Sequence, residues 1–430
     1  MKRFLISLGL VMVVLSSAIV CNAAPEPRAS SAILASLSGQ QIIYTKNGDQ
    51  QLPPAEFTKL MTAYTAYKLF GADQLLTVPD NIDEYTNYME SNMNLKPGEQ
   101  IKCSDLIYGM IMAQANDAAI TVAMSYTSVE NFVVKMNEFA KNLGMQNTVF
   151  TNTTGRHDEK QYTTANDLLT LYRAFYKDKH LYPYLSTKNI ILNATNLCAE
   201  RSYWTKNHLM SRFIYLDYIY PYANAGLSSS SSSGGYSVIS SASKGTKELV
   251  CVVMNSVYET GVNYAMIDAQ ELFDYGFDKF STVTVIKQGD LLYETKLKNH
   301  KGKDTLLLCA EKTIKAVILD GDDISSIEKK IVLEEPVKAP LKKDEVVGKM
   351  VYSYQGNLVG EVNLVAERNV KRSIIKTIIS GVVWFFGLKA IKVILLLVLC
   401  VFGVLFVLVY NAARKRRRRR RNRRRNYMKF

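Results

Sequence analysis

Apolar and polar positions alternate with two different periods along the first part of the chain. Ser31 to Leu37 and Gln41 to Thr45 suit two short strands, with Ser38-Gly39 as a tight turn between them. Beyond Pro53-Pro54, the positions Phe57, Leu60, Met61, Tyr64 and Tyr67 recur at helical spacing, which predicts a helix from about Glu56 to Phe70, closed by Gly71. Further helices are expected over Asp105 to about Tyr126, over Val129 to Leu143 with a stop at Gly144, and after a cap at Thr164 with Asp167 at the third helical position. Strands are expected at Tyr236 to Ser241 and Glu248 to Asn255. Strands at both ends with helices between them predict an α+β domain.

From about Thr282 the pattern changes to short β-rich runs separated by turn residues, such as Thr305 to Leu308, Lys315 to Leu319 and Asn357 to Val365, which predicts a small all-β domain ending near Glu367. Ile374, Ile375, Ile378, Ile379, Val382 and Val383 then repeat at helical spacing beside Lys371, Arg372 and Lys376, as in a helix lying on a membrane surface. Val393 to Tyr410 is 18 residues without a charge. Extended to Ala412 it reaches the roughly 20 residues needed to span hydrocarbon. At the other end, Lys2 and Arg3 precede an apolar run to Val20, followed by Ala23 and Ala24, which reads as a cleavable export signal. Cys21 is a poor lipidation site because bulky Val20 precedes it. The expected order is a signal over 1–24, the α+β domain over 25–278, the β-rich domain over 279–367, an amphipathic juxtamembrane segment over 368–389, a transmembrane helix over 390–412 and an Arg-rich tail over 413–430.

Composition narrows the picture. Hydrophobic residues make 48% and charged residues 21% of the 430, which excludes a disordered chain. The net charge is +14, but residues 414–430 hold 12 positive charges and no acid, leaving +2 on the other 413. The body is therefore not a general nucleic-acid binder, and no specific nucleic acid is expected as a partner. The basic tail should stay in the cytoplasm, so the protein is expected in the cell membrane as a single-pass protein with its body outside. The tail either anchors this topology and touches anionic lipid head groups or binds a cytoplasmic polyanion. Cys103, Cys198, Cys251 and Cys309 remain in the exported part with no CxxC spacing or histidine cluster, so neither metal nor cofactor is expected. Their even count permits disulfides without specifying any, and Cys251, in an apolar run, suits a buried position.

Several segments in register carry a resemblance: GQQIIYTKN at 39–47, PPAEFTKLMTAY at 53–64, SNMNLKPGEQ at 91–100, DLIYGMIMAQANDAA at 105–119, FVVKMNEFAKNLGMQNTVFTN at 132–152 and QYTTANDL at 161–168. Together, over about residues 29 to 366, the chain resembles the low-molecular-weight penicillin-binding proteins, serine-type D-alanyl-D-alanine carboxypeptidases. The resemblance implies a β-lactamase/transpeptidase-like domain of antiparallel sheet and helices, followed by the small β domain of the same enzymes. It also implies three motifs. In S-x-x-K the lysine deprotonates the serine one turn away, and here the motif reads Glu56-Phe57-Thr58-Lys59. In S-x-N the serine relays a proton and the asparagine holds the substrate amide, and here it reads Gln114-Ala115-Asn116. In K-T-G the lysine attracts the substrate carboxylate from an edge strand. Here Ala225-Gly226-Leu227 leads into Ser228 to Ser233; the lysine's place falls on Leu227 or Ser228, and Ser228, Ser229 and Ser230 lie over the degraded region. Lys59 and Asn116 are the retained members; Glu56 and Gln114 occupy the serine positions.

A carboxylate at Glu56 favours the ammonium form of Lys59, so an inert Glu56–Lys59 ion pair is expected. An acid in the first helical turn also suits the helix dipole by itself. The six serines suit a flexible loop better than an edge strand whose hydroxyls replace the lost charge. Three functions compete: a pseudoenzyme that binds peptidoglycan stem peptides or regulates cell-wall enzymes, a scaffold holding a partner through the β domain, and a carboxypeptidase with a rearranged site. The first is the reading preferred, since Asn116 is kept.

Overall fold

The computed structural model describes residues 24–427 apart from 38, 88, 212–215 and 334–335. The signal expected over 1–24, apart from Ala24, and the last three residues of the tail lie outside these residues. By its contacts the chain divides into two compact units. One runs to Val285 and includes Ile314–Lys329 and Val351–Glu361; the other comprises Ile286–Thr313, Lys330–Met350 and the chain from Val362 on.

The first unit is built on one sheet. Its strands are β1 (Ser31–Ser36), β2 (Ile42–Lys46), β3 (Ala223–Ser231), β4 (Gly235–Lys244) and β5 (Lys247–Ser256), antiparallel in the order β2-β1-β5-β4-β3. Successive side chains on a strand point to opposite faces, and both faces are covered. Ile33, Leu227, Ile239, Val250 and Val252 pack on one side against α1 (Thr58–Phe70), α2 (Cys103–Tyr108), α3 (Asn116–Met124), α4 (Val129–Leu143) and α5 (Ala165–Lys177). Leu34, Val238, Leu249, Cys251 and Val253 pack on the other against α6 (Tyr264–Lys279). Phe57, Phe132, Phe150 and Phe175 are fully buried in the first of these cores; burying each such side chain contributes roughly 1.5–3 kcal/mol.

The predicted hairpin, α1, α4 and α5 are present. Ser128 accepts from the Asn131 N–H at the start of α4 and Thr164 from the Asp167 N–H at the start of α5. Two expectations are corrected. The helix predicted over Asp105 to Tyr126 is two helices, because a π-turn over Gly109–Ala113 ends at Gln114, whose φ of 57° is left-handed. Four of the six serines are strand and not loop: Ser228 to Ser231 belong to β3 and pair with Gly235 to Val238 of β4, so their backbone groups find partners in the sheet, while Ser232 and Ser233 lie in the turn between the two strands. Helix α6 was not foreseen at all.

In the second unit, β6 (Leu291–Lys298) pairs antiparallel with β7 (Thr305–Ala310) and parallel with β8 (Val337–Lys338). Residues Leu308 to Ala310 pair in turn with Leu364 to Ala366 at the end of β9 (Asn357–Ala366). Helix α7 (Ile374–Gly387) follows, then α8 (Lys389–Tyr427). Within α8, Leu396–Arg418 is the one stretch among the described residues long and apolar enough to cross a membrane. The fold is thus an α+β domain followed by a β-rich domain and a C-terminal apolar helix. Cys103, Cys198, Cys251, Cys309 and Cys400 are unbridged, with Cys103 and Cys251 buried.

Candidate functional site

The elements that carry the three motif segments meet at β3, the edge strand of the sheet. Glu56 sits in a single 3-10 turn, Ala55–Phe57, that leads into α1. Ala55 has φ +44°, a left-handed conformation that costs an L-residue roughly 1–3 kcal/mol and tends to occur where a site demands it. Two contacts hold it. The Phe57 N–H donates to the Pro54 carbonyl at 3.0 Å. Gly155 (φ +87°) approaches so closely that a Cβ there would stand 2.0 Å from the Ala55 carbonyl oxygen.

Lys59, one helical turn on, is 1% exposed. Its Nζ pairs with the Glu56 carboxylate and donates to the Thr154 carbonyl at 2.7 Å. The expected ion pair is therefore formed, but its electrostatics differ from the expectation. Burial is the largest influence on the amine and pulls its pKa down; Glu56 pushes it back only in part. The loop that supplies Thr154 is shaped by Asn152, whose Oδ1 accepts from the Thr154 and Gly155 N–H groups at 3.2 and 2.7 Å.

Gln114, at the break between α2 and α3, reaches across to β3 and donates from Nε2 to the Ser228 carbonyl at 2.6 Å. The Glu56 N–H points to the Ser229 hydroxyl at 3.3 Å. The Ser228 hydroxyl lies on the opposite side of the strand, where it accepts from the His208 N–H at 3.3 Å and faces the Met266 sulfur. Ser230 is exposed. Of the three serines singled out, then, the structure brings Ser229 to Glu56 by its side chain and Ser228 to Gln114 by its backbone.

Asn116 opens α3 and is 8% exposed. Its Nδ2 donates to Glu90 Oε2 at 2.7 Å. Arg156 grips the same carboxylate with Nε to Oε1 at 2.9 Å and Nη2 to Oε2 at 2.6 Å, and also donates to the Tyr85 carbonyl. The Arg156 guanidinium holds the Glu90 carboxyl below its usual range. Asp117 beside it is buried and accepts from the Met93 and Leu95 N–H groups at 2.9 and 3.0 Å, which fixes the segment following Glu90.

Sequence reasoning missed Glu90, Arg156 and Lys206. Lys206 donates to the Ala113 carbonyl at 2.9 Å and to the Ser91 hydroxyl at 3.2 Å. Burial lowers its pKa, while the nearby Glu56 raises it. It thus brings a cation to the ends of the first two motifs from 90 residues or more away in sequence, a distance over which no local spacing carries a signal. Among the described residues no cluster of three or more His, Cys, Asp or Glu forms a metal site.

Comparison with known proteins identifies the family. Residues 19–257 match the family model described as D-alanyl-D-alanine carboxypeptidase, and 280–372 match that of the penicillin-binding protein 5 C-terminal domain. The chain is 26% identical over 353 residues to the D-alanyl-D-alanine carboxypeptidase DacF of Bacillus subtilis, covering 80% of this chain and 86% of the relative. It is 29% identical over 361 residues to DacC of Escherichia coli, covering 81% and 86%. Penicillin binding protein 5 from Haemophilus influenzae superposes with a TM-score of 0.67 at 25% identity, over 81% of this chain and 99% of that one. The chain belongs to the D-alanyl-D-alanine carboxypeptidase family, serine-type hydrolases of the penicillin-binding protein class that act in cell-wall metabolism.

Proposed function

We propose that this protein is a membrane-anchored, extracytoplasmic member of the family that has lost carboxypeptidase chemistry and uses the retained groove to bind peptidoglycan stem peptides or to regulate cell-wall enzymes. The observation that carries the reading is the Glu56–Lys59 pair. The base of the family's first motif is buried, and both of its contacts, the Glu56 carboxylate and the Thr154 carbonyl, are acceptors. An amine so engaged is held as a donor and has no serine at position 56 to deprotonate. Losing a serine nucleophile alone can cost on the order of 10⁶ in turnover. Gln114 in place of the relay serine, and Leu227 or Ser228 in place of the carboxylate-binding lysine, remove two further parts of one transition state.

What the groove keeps favours binding. β3 remains an edge strand that can pair with an extended peptide, and Asn116 keeps an amide there. Lys206 supplies a cation beside it. The apolar stretch of α8 anchors the body at the membrane, and the Arg-rich tail sets the orientation with its contact to anionic lipid. Two measurements test this reading on the full chain in detergent: intact mass after β-lactam exposure, and calorimetric titration with defined muropeptides. No mass gain together with muropeptide binding is expected. A stoichiometric adduct abolished by Ser229→Ala would establish a rearranged enzyme instead, and absence of muropeptide binding would favour the scaffold.

A further inference from the structure

The second unit holds a cluster that the groove does not use. Helix α7 has two unlike faces. Ile374, Ile375, Ile378, Ile379, Val382 and Val383 are exposed, each at 49% or more. At 100° per residue they fill one half of the helix. The other half carries Lys376 and Ser380, one turn apart, and these dock on the turn after β6. Lys376 Nζ lies 3.2 Å from Asp304 Oδ1 and 3.1 Å from His300 Nε2, and the Ser380 hydroxyl donates to Asn299 Oδ1 at 2.6 Å. His300 is 2% exposed, and its Nε2 also lies 2.9 Å from Asp304. The helix is thus held by its polar side, with its apolar side turned outward. A single residue, Leu388, separates it from α8.

Between α7 and the end of β6 lies an open cavity of about 400 Å³. Lys296 and Lys298 line it, on the same face of the strand because they are two residues apart. Both are exposed, and among the described residues neither makes an ion pair. Asp304, the only acid lining the cavity, is engaged by Lys376 and His300. Lys301, Lys303, Lys371 and Arg372 add four more cations in the two segments that form its walls. The cavity therefore presents unneutralised ammonium groups and the Asn299 amide, beside the helix whose outward face is apolar. A phosphodiester fits those donors, and the neighbouring apolar face fits the acyl chains joined to it.

We propose that this cavity binds the phosphate of an anionic phospholipid head group and so fixes the β-rich domain at the membrane surface, independently of the Arg-rich tail. The proposal rests on α8 entering the bilayer, which incorporation of the full chain into nanodiscs checks separately. The test is hydrogen–deuterium exchange of the full chain in phosphatidylcholine nanodiscs with and without phosphatidylglycerol. Amides of residues 296–305 and 371–381 should be protected further when phosphatidylglycerol is present. A lysine close to an anionic surface contributes roughly fivefold in affinity, so Lys296→Gln with Lys298→Gln should weaken the effect roughly thirtyfold. The paired Lys296→Arg and Lys298→Arg changes should preserve it, and the tail's own response should be untouched in both. Equal protection in both lipids, or a phosphatidylglycerol response that survives the double Gln variant, overturns the proposal. So does the same protection in phosphatidylcholine on adding inorganic phosphate or soluble polyglycerol phosphate, which would make the site one for a free anion or a wall polymer.

Discussion

Removing the charge of Glu56 tests the central contact. Glu56→Gln keeps the shape of the side chain but leaves the Lys59 ammonium, 1% exposed, with the Thr154 carbonyl and a neutral amide. Breaking a buried pair by losing one partner costs about 3–5 kcal/mol. Two facts reduce that figure. The Glu56 side chain is 25% exposed, so water replaces part of its interaction. Lys59 can also escape by losing its proton, which for a pKa brought down by burial costs less than the roughly 4–5 kcal/mol an ordinary lysine would need at neutral pH. A loss of about 2–3 kcal/mol is expected at neutral pH, or about 5–10 °C in the melting of a domain of this size. The pH dependence carries the sign. A lysine with a lowered folded pKa releases its proton in the folded chain while the unfolded chain still holds it. Stability therefore rises as pH climbs from the depressed folded value towards the ordinary lysine range. Glu56 works against that depression, so Glu56→Gln lowers the folded value further and moves the rise to lower pH. The gap between variant and wild type should be present at neutral pH and shrink once Lys59 is neutral in both. Intrinsic-fluorescence melts of the full chain in detergent between neutral pH and pH ~10.5 read it. A variant that melts like wild type at neutral pH, or a gap that persists unchanged to the alkaline end, would refute the buried ion pair.

Four other outcomes are expected, the first three from the same geometry and the fourth from the apolar run and the basic tail. Glu56→Ser alone should give no β-lactam adduct by intact mass, whereas adding Gln114→Ser and then a Lys-Thr-Gly graft over Ser228–Ser230 should give adducts at rates that rise more than additively, because all three act on one transition state. Glu90→Ala should release the Asn116 amide and tighten muropeptide binding by up to roughly tenfold in a calorimetric titration, as one charge-assisted competitor is lost. Arg156→Ala should cost about 1 kcal/mol or less at neutral pH, since both partners are partly exposed. Because Arg156 lowers the folded pKa of Glu90, that stability is present above the ordinary carboxylate range and lost as pH falls through the folded value, so the two melting curves should converge in acid. External protease on intact cells should remove the body and spare an epitope placed after Phe430; digestion of that epitope would refute the orientation.

Much of this fold was legible because local forces shape it. The stripe of α1, the Thr164 cap and the stops at Gly71 and Gly144 act within a few residues of where they stand, and each element begins or ends there. The charge-free run in α8 is equally local, since desolvation requires nothing from elsewhere in the chain. The Glu56–Lys59 pair was readable for the same reason: residues three apart on a helix must meet.

Tertiary structure decided the rest. Apolar periodicity runs through Gly109–Ala113 without a mark, yet Gln114 turns left-handed there and donates to the Ser228 carbonyl 114 residues away. Six serines carry no strand preference of their own; pairing with β4 supplies the backbone partners that make Ser228 to Ser231 extended. The hold of Glu90 and Arg156 on Asn116, and the approach of Lys206 to Glu56, join positions far apart in sequence, and no pattern of neighbours announces them. Even at Lys59, whose partner was foreseen, the direction of the pKa shift was not. One turn of helix supplies the carboxylate, but only the packed core removes the water, and at this lysine the removal of water is the larger effect.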